Sequence, residues 1–192
     1  IRNTIVEAGA EFDLRLVGGR AYGICAIEAG WIPSPLQAIY HGDKMRAYRE
    51  WLPATSFEAN ASIGGSFVSK NIEDYYMTPW DLDYGRIINF NHEFIGRDAL
   101  AKMKDQPHRQ KVTLVWNSED VLAVEQSILS GKDNGKYMEQ PNAHYAAHPY
   151  DMVMKGQHMV GISTYPCYIS VDHQWISLAT LDTPPTPHAS SI

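Results

Sequence analysis

A chain of 192 residues is long enough to bury one sizeable core, or one domain with a smaller appendage. Its 44% hydrophobic and 20% charged residues are the make-up of a globular protein and exclude wholesale disorder. A formal net charge of −6, with no run of Lys or Arg, excludes non-specific attraction to nucleic acid or an anionic membrane and leaves a small molecule or a protein as partner.

In chain order, Ile1, Ile5, Ala8 and Phe12 fall on helical spacing, so residues 1–14 read as an amphipathic helix weakened at Gly9. Val17-Gly18-Gly19 makes a turn into the segment Arg20 to Pro35, which packs a guanidinium, a phenol, a carboxylate and an indole into one short stretch. Residues 21–29 are predicted helical, stopped by Gly30, and Pro33 and Pro35 make a rigid, extended exit. On that helix Tyr22 and Glu28 stand roughly 600° apart and face different ways, while Trp31, beyond the turn, is placed to fold back over either. Met45, Tyr48 and Trp51 then mark a short helix within 42–52, ended by Pro53.

Residues 60–70 carry no helical period and read as a loop into a short strand, with Gly64-Gly65 permitting a turn or a close approach of backbone to a ligand. A strand is expected over 83–91, around Ile87-Ile88-Asn89-Phe90, followed by a helix over 94–103. The polar stretch 107–111 reads as a boundary, and the pattern beyond it turns to β: 111–116, 158–164, 167–171 and 175–181 are predicted strands, with a helix over 121–129 inside the polar region 117–156. Pro184, Pro185 and Pro187 make 183–192 a loose tail. The expected division is thus 1–107, 108–182 and 183–192, and the fold class is α+β.

No apolar run approaches a membrane span and the first residues lack the order of a signal peptide, so a cytoplasmic location without membrane contact is expected. Cys25 and Cys167 make no disulfide framework and read as reduced thiols. His144 and His148 are four apart but flanked by Pro141 and Pro149, and no other ligand completes a set, so no metal is predicted. Gly64-Gly65 lacks the Lys and the frame of a phosphate loop.

The ordered set "EAGAEFDLRLVG", "GRAYGICAIEAGW", "FIGRDAL", "KVTLVW" and "MVGISTYPCYISVDHQWISLATLD" resembles the glycine-cleavage T-protein superfamily, the folate-binding aminomethyltransferases. Within it, "RAYGICAIEAGWIPSPLQAIYHGDKMRAYREWLPA" and "IGGSFVSKNIEDYY" are similar to the tetrahydrofolate-dependent aromatic O-demethylases. An aminomethyltransferase carries Arg-Asp-x-x-Arg where this chain has Arg20-Ala-Tyr22-Gly-Ile.

The resemblance implies transfer of methyl from a methoxy-aromatic acid of the vanillate or syringate type to tetrahydrofolate. Cleaving an aryl methyl ether needs in-line positioning and help for the departing oxygen, and a phenol, with an ordinary pKa of about 10, can donate to it. Tyr22 is thereby implied as catalytic and Trp31 as lining the same site. Glu28 is implied to orient the pterin, and Arg20 serves either the folate or packing. Without the resemblance, Tyr22 and Trp31 read as packing residues, and Glu28 and Arg20 as surface charges.

Against the family, the part preceding this chain is absent and the C-terminal barrel is cut short after "LATLD". The expected fold is therefore part of a folate-binding α/β domain followed by an incomplete β-barrel. The sequence is either a piece of a longer protein or a truncated relative that hides its strand edges by forming a homodimer. An aminomethyltransferase, or a non-catalytic binding or oligomerisation module, remains the alternative.

Overall fold

The computed structural model describes residues 1–32, 35–131, 133–138 and 147–182. Pro33 of the exit, His144 of the histidine pair and the tail 183–192 lie outside the described residues.

The first helix, α1 (Arg2–Gly9), tightens into a 3₁₀ turn over Ala10–Phe12 and ends at Asp13 in the left-handed region. It buries none of its residues, so Ile5 and Phe12 stand exposed. Helix α2 (Gly19–Glu28) begins at the paired glycines and buries Ala26 and Ile27. Its stop has an identifiable cause. Gly30 takes a φ of +72°, its N–H donates to the Ile27 carbonyl at 2.9 Å, and the Trp31 N–H reaches back to the Ala26 carbonyl at 2.8 Å. This pair of bonds satisfies carbonyls that the helix end leaves open, and it needs a residue without a Cβ penalty at position 30.

Helix α3 (Arg46–Trp51) is shorter than the predicted span because Gly42 turns the chain before it, and Leu52 ends it in extended geometry ahead of Pro53. The Arg49 guanidinium donates to the carbonyls of Ile39, His41 and Gly42 at 2.8–2.9 Å, which fixes that preceding loop. A one-turn helix, α4 (Phe57–Asn60), is capped by Ser56, whose Oγ accepts from the Ala59 N–H, and it leads into β1 (Ser62–Gly64).

The strand expected over 83–91 does not form. A 3₁₀ turn at Gly85–Ile87 occupies it, Ile87 is exposed, and Phe90 stacks on Trp80 with ring centres 6.5 Å apart. The β-branched run is real, but no neighbouring strand offers it a ladder, and the aromatic packing around Trp80 sets the backbone instead. Helix α5 (Arg97–Met103) forms within the expected 94–103 but starts later, after Gly96 turns the chain at a φ of +90°, and the Trp80 indole N–H donates to its Leu100 carbonyl at 3.2 Å.

The second half holds β2 (Gln110–Val115), α6 (Ser118–Ser130), β3 (Ala147–Pro149), β4 (Asp151–Lys155), β5 (His158–Ile169) and β6 (Gln174–Leu181). Asn117 caps α6, its side-chain oxygen accepting from the Glu119 and Asp120 N–H groups at 2.8 and 3.3 Å, and Gly131 ends the helix with a φ of +69°. Four strands pair antiparallel in the order β2-β6-β5-β4, an open sheet with β2 and β4 at its edges rather than a closed barrel. β1 pairs parallel with β3 as a separate two-stranded ribbon. The two strands expected over 158–164 and 167–171 are one strand, β5, with an irregularity between Thr164 and Pro166.

One face of the four-stranded sheet meets α2. Leu178, Ile176, Cys167 and Ile169 from the strands bury with Ile27 and Ile32 from the helix and its exit. Tyr150 ties a second cluster together. Its backbone N–H donates to the Gly64 carbonyl at 2.9 Å, its carbonyl accepts from the Phe67 N–H at 3.0 Å, and its hydroxyl accepts from the Leu36 N–H at 3.1 Å. The close approach that Gly64-Gly65 permits is thus to the Tyr150 backbone. A Cβ at Gly65 would fall within the Tyr150 carbonyl.

The stretch that reads as a boundary is stitched to both sides. His108 stacks on Trp80 at 5.3 Å, the Arg109 N–H donates to the Asp81 carboxylate at 3.1 Å, and the Arg109 guanidinium pairs with Asp182 at 2.8 Å. Both cysteines are free thiols, Cys25 exposed and Cys167 buried. No helix among the described residues is long and apolar enough to cross a membrane.

Candidate functional site

Helix α2 and its stop carry all four residues that the sequence singles out. Tyr22 lies in the second turn and is 60% exposed. Trp31, 38% exposed, folds back over the same face. Its ring meets that of Tyr22 edge to face, with centroids 6.2 Å apart and planes at 84°. This is the arrangement aromatic pairs favour, because the positive edge of one ring meets the negative face of the other. The bond from the Trp31 N–H to the Ala26 carbonyl makes the fold-back possible by turning the chain sharply past Gly30.

Glu28 ends the helix on a different face, as its spacing from Tyr22 predicts. Its carboxylate is exposed, yet close enough to Cys167 to act on it. Burial, and after it the Glu28 charge, push the Cys167 thiol up to about 11. Arg20 is exposed in the first turn of α2 and forms no ion pair among the described residues. The structure therefore brings Tyr22 and Trp31 into contact, sets Glu28 near Cys167 of the underlying strand, and leaves Arg20 without an ion pair among the described residues.

Beneath these residues lies a floor that no motif announces. Ile27 precedes Glu28, Ile32 follows Trp31, and both bury against Tyr165, Cys167 and Ile169 of β5. The alternation of β5 was the available signal, but it changes phase at Tyr165 and cannot be read through that point.

A cavity of about 550 Å³ sits elsewhere, between α6 and the opposite face of the sheet, lined by Trp116, Val121, Val124, Met154, Pro166 and Ser177 among others. It includes none of Arg20, Tyr22, Glu28 and Trp31. Among the described residues no group of His, Cys, Asp and Glu side chains is arranged to hold a metal.

The side chains of α2 and its stop offer three kinds of polar or stacking contact. The Trp31 indole offers a face for stacking, and Glu28 offers a carboxylate that accepts from amide and amine N–H groups. The Tyr22 hydroxyl, standing beside the indole, is a proton donor for an oxygen brought against it.

No protein-family model matches the chain. It is 43% identical over 95% of its length to a syringate O-demethylase of Sphingobium sp., and 30% identical over 93% of its length to a sesamin methylene transferase of Sinomonas sp.. It spans only 39% and 42% of the length of these two curated relatives. A shorter match, 32% identical over 38% of the chain, is to an aminomethyltransferase of Alcanivorax borkumensis. Over nearly all of its length the chain is thus a homologue of the syringate O-demethylase and the sesamin methylene transferase, and over a shorter stretch of the aminomethyltransferase.

Proposed function

We propose that this chain is part of a tetrahydrofolate-dependent O-demethylase that moves a methyl group from a methoxy-aromatic acid, of the vanillate or syringate type, to tetrahydrofolate. The observation that carries the reading is the exposed Tyr22 phenol held edge to face against Trp31, in a chain 43% identical to a syringate O-demethylase. Bound tetrahydrofolate supplies the nitrogen that accepts the methyl group.

Tyr22 acts on the other end of the bond being broken. The methyl carbon departs without the electrons of its bond to oxygen, those electrons remain on the aryl oxygen, and the Tyr22 O–H donates to that oxygen as it grows more basic. Trp31 bounds the same space and stacks on a planar ring. Glu28 accepts from the amide and amine edge of the pterin and orients it. Arg20, unpaired by any carboxylate among the described residues, serves an anionic group of the cofactor.

The α/β portion to about residue 107 is the folate-binding part, and 108–182 is the beginning of a barrel whose open edges, β2 and β4, are covered in the whole assembly. The protein acts in the cytoplasm. In the longer protein to which this chain belongs, syringate or vanillate with tetrahydrofolate is expected to yield 5-methyltetrahydrofolate. Tyr22→Phe is expected to lower that turnover by at least about a hundredfold. Absence of product, or undiminished turnover in the variant, overturns the reading.

A second reading rests on exposed apolar side chains. Phe12, Trp51, Val68 and Ile87 stand open among the described residues, so the chain is also suited to a binding or oligomerisation role, a homodimer included. Calorimetric titration of the chain with tetrahydrofolate separates the two. Binding that Trp31→Ala weakens roughly two- to tenfold supports the enzyme reading. A defined dimer with no binding supports the module.

A further inference from the structure

Strand β5 changes phase in the middle. Before the irregularity Ile162 and Thr164 stand opposite Thr180 and Leu178 of β6, and after it Cys167 and Ile169 stand opposite Ile176 and Gln174. Even-numbered residues share a face with Leu178 in the first half and odd-numbered ones do so in the second, so one residue is inserted between Thr164 and Pro166. That residue is Tyr165, and it has a φ of +47°.

A bulky aromatic side chain in the left-handed region is an outlier. It persists only where its surroundings hold it, and such positions gather at functional sites. Tyr165 is 2% exposed and belongs to the same buried cluster as Ile27 and Ile32. Pro166 follows it and has no N–H to offer the ladder, which suits a break in the pairing.

The insertion decides which side chains α2 meets. In unbroken alternation Cys167 and Ile169 would point to the opposite face, toward the cavity under α6, and Tyr168 would point toward α2. With Tyr165 inserted, Cys167 and Ile169 lie beneath Ile27 and Ile32. Those two residues bracket the turn from Glu28 to Trp31, so the floor under the candidate site is set by the phase of β5.

We propose that Tyr165 is a positioning residue for the methyl-transfer site: its left-handed backbone at the β5 bulge sets the packing floor that holds the Glu28–Trp31 turn and keeps Trp31 against Tyr22. This rests on the assignment of Tyr22 and Trp31 to that site. The ring fills part of that floor, and the backbone conformation fixes the phase of every residue after it.

Two substitutions separate backbone from ring. Tyr165→Gly and Tyr165→Val both remove the ring, but only Gly adopts a positive φ without penalty, whereas Val is β-branched and resists it. In the full 192-residue chain two quantities are measured: NMR cross-peaks between the Tyr22 and Trp31 rings, and the affinity for tetrahydrofolate by calorimetry. Tyr165→Gly is expected to keep the ring cross-peaks and to bind tetrahydrofolate at least about threefold more tightly than Tyr165→Val. Tyr165→Val is expected to lose the cross-peaks and at least about tenfold in affinity, or to fail to fold.

Retention of the cross-peaks and affinity in a folded Tyr165→Val overturns the proposal. Equal loss in both variants overturns it too, because the ring and not the backbone would then be responsible. If Tyr165→Val does not fold, Tyr165→Gly decides, and loss of the cross-peaks in a folded Gly variant counts against the proposal. If the parent chain binds no tetrahydrofolate, the assignment of the site fails, while the ring cross-peaks still decide the role of Tyr165.

Discussion

The two thiols of the chain have opposite surroundings, and the contrast gives a residue-scale test. Cys25 is exposed on α2, whereas Cys167 lies in the core with its thiol pushed up to about 11, first by burial and then by Glu28. Tyr150 behaves alike: burial pushes its phenol up to about 12, against a smaller lowering by the Leu36 N–H that it accepts. Both groups stay neutral in the folded chain at pH values where the unfolded chain releases their protons. Their contribution is therefore complete below about pH 9 and declines as pH rises, through 9 to 11 for the thiol and 10 to 12 for the phenol. The urea midpoint is expected to fall steadily between pH 9 and pH 11, and Cys167→Ala should flatten the first part of that fall. A midpoint constant across the range contradicts this account. At pH 8, iodoacetamide should label Cys25 in the native chain and spare Cys167 until denaturant is added.

At the scale of elements, the ribbon of β1 and β3 depends on one glycine. Gly65 has a φ of +99° and leaves no room for a Cβ beside the Tyr150 carbonyl, so Gly65→Ala must disturb the bonds that Tyr150 makes to Gly64 and Phe67. The expected loss is roughly 2–4 kcal/mol in denaturant titration, against about 1 kcal/mol for Asn117→Ala at the start of α6, where a capping acceptor alone is removed. These two elements also mark how far the sequence could be read. Helix α2 and its stop were legible because the Glu-Ala-Gly end names its own geometry, and with it Tyr22, Glu28 and Trp31 as a group. The contact of Trp31 with Tyr22 was not, since it follows from the bond between Trp31 and Ala26 across the turn. Residues 83–91 looked like a strand because β-branched and aromatic propensity is local, whereas a ladder needs a partner strand, and the packing around Trp80 sets the backbone instead. β4 escaped notice because Val153 is its one buried residue, and β5 was divided in two because its phase change hides its continuity.

For the whole molecule, apolar side chains remain uncovered. Phe12, Trp51, Val68 and Ile87 are exposed, and the chain spans about two fifths of its first two relatives. Isolated, it is expected to bind a hydrophobic dye and to sediment above its 21.6 kDa, and a dye-silent monomer would contradict this. The order β2-β6-β5-β4 has a further consequence, for the time course of folding. β4, β5 and β6 follow one another and pair as neighbours, while Gln110 of β2 must find Leu181 of β6 across the whole intervening chain. Closing that long loop costs entropy before any contact rewards it, so the meander of β4, β5 and β6 forms first and β2 docks last. Substitutions that weaken β2, such as Val112→Ala, should therefore speed unfolding and leave the refolding rate nearly unchanged in stopped-flow measurements, whereas Ile162→Val in β5 should slow refolding. The edge strand that arrives last is also the one whose absence would leave β6, the most buried strand of the sheet, open to pairing with another chain during synthesis.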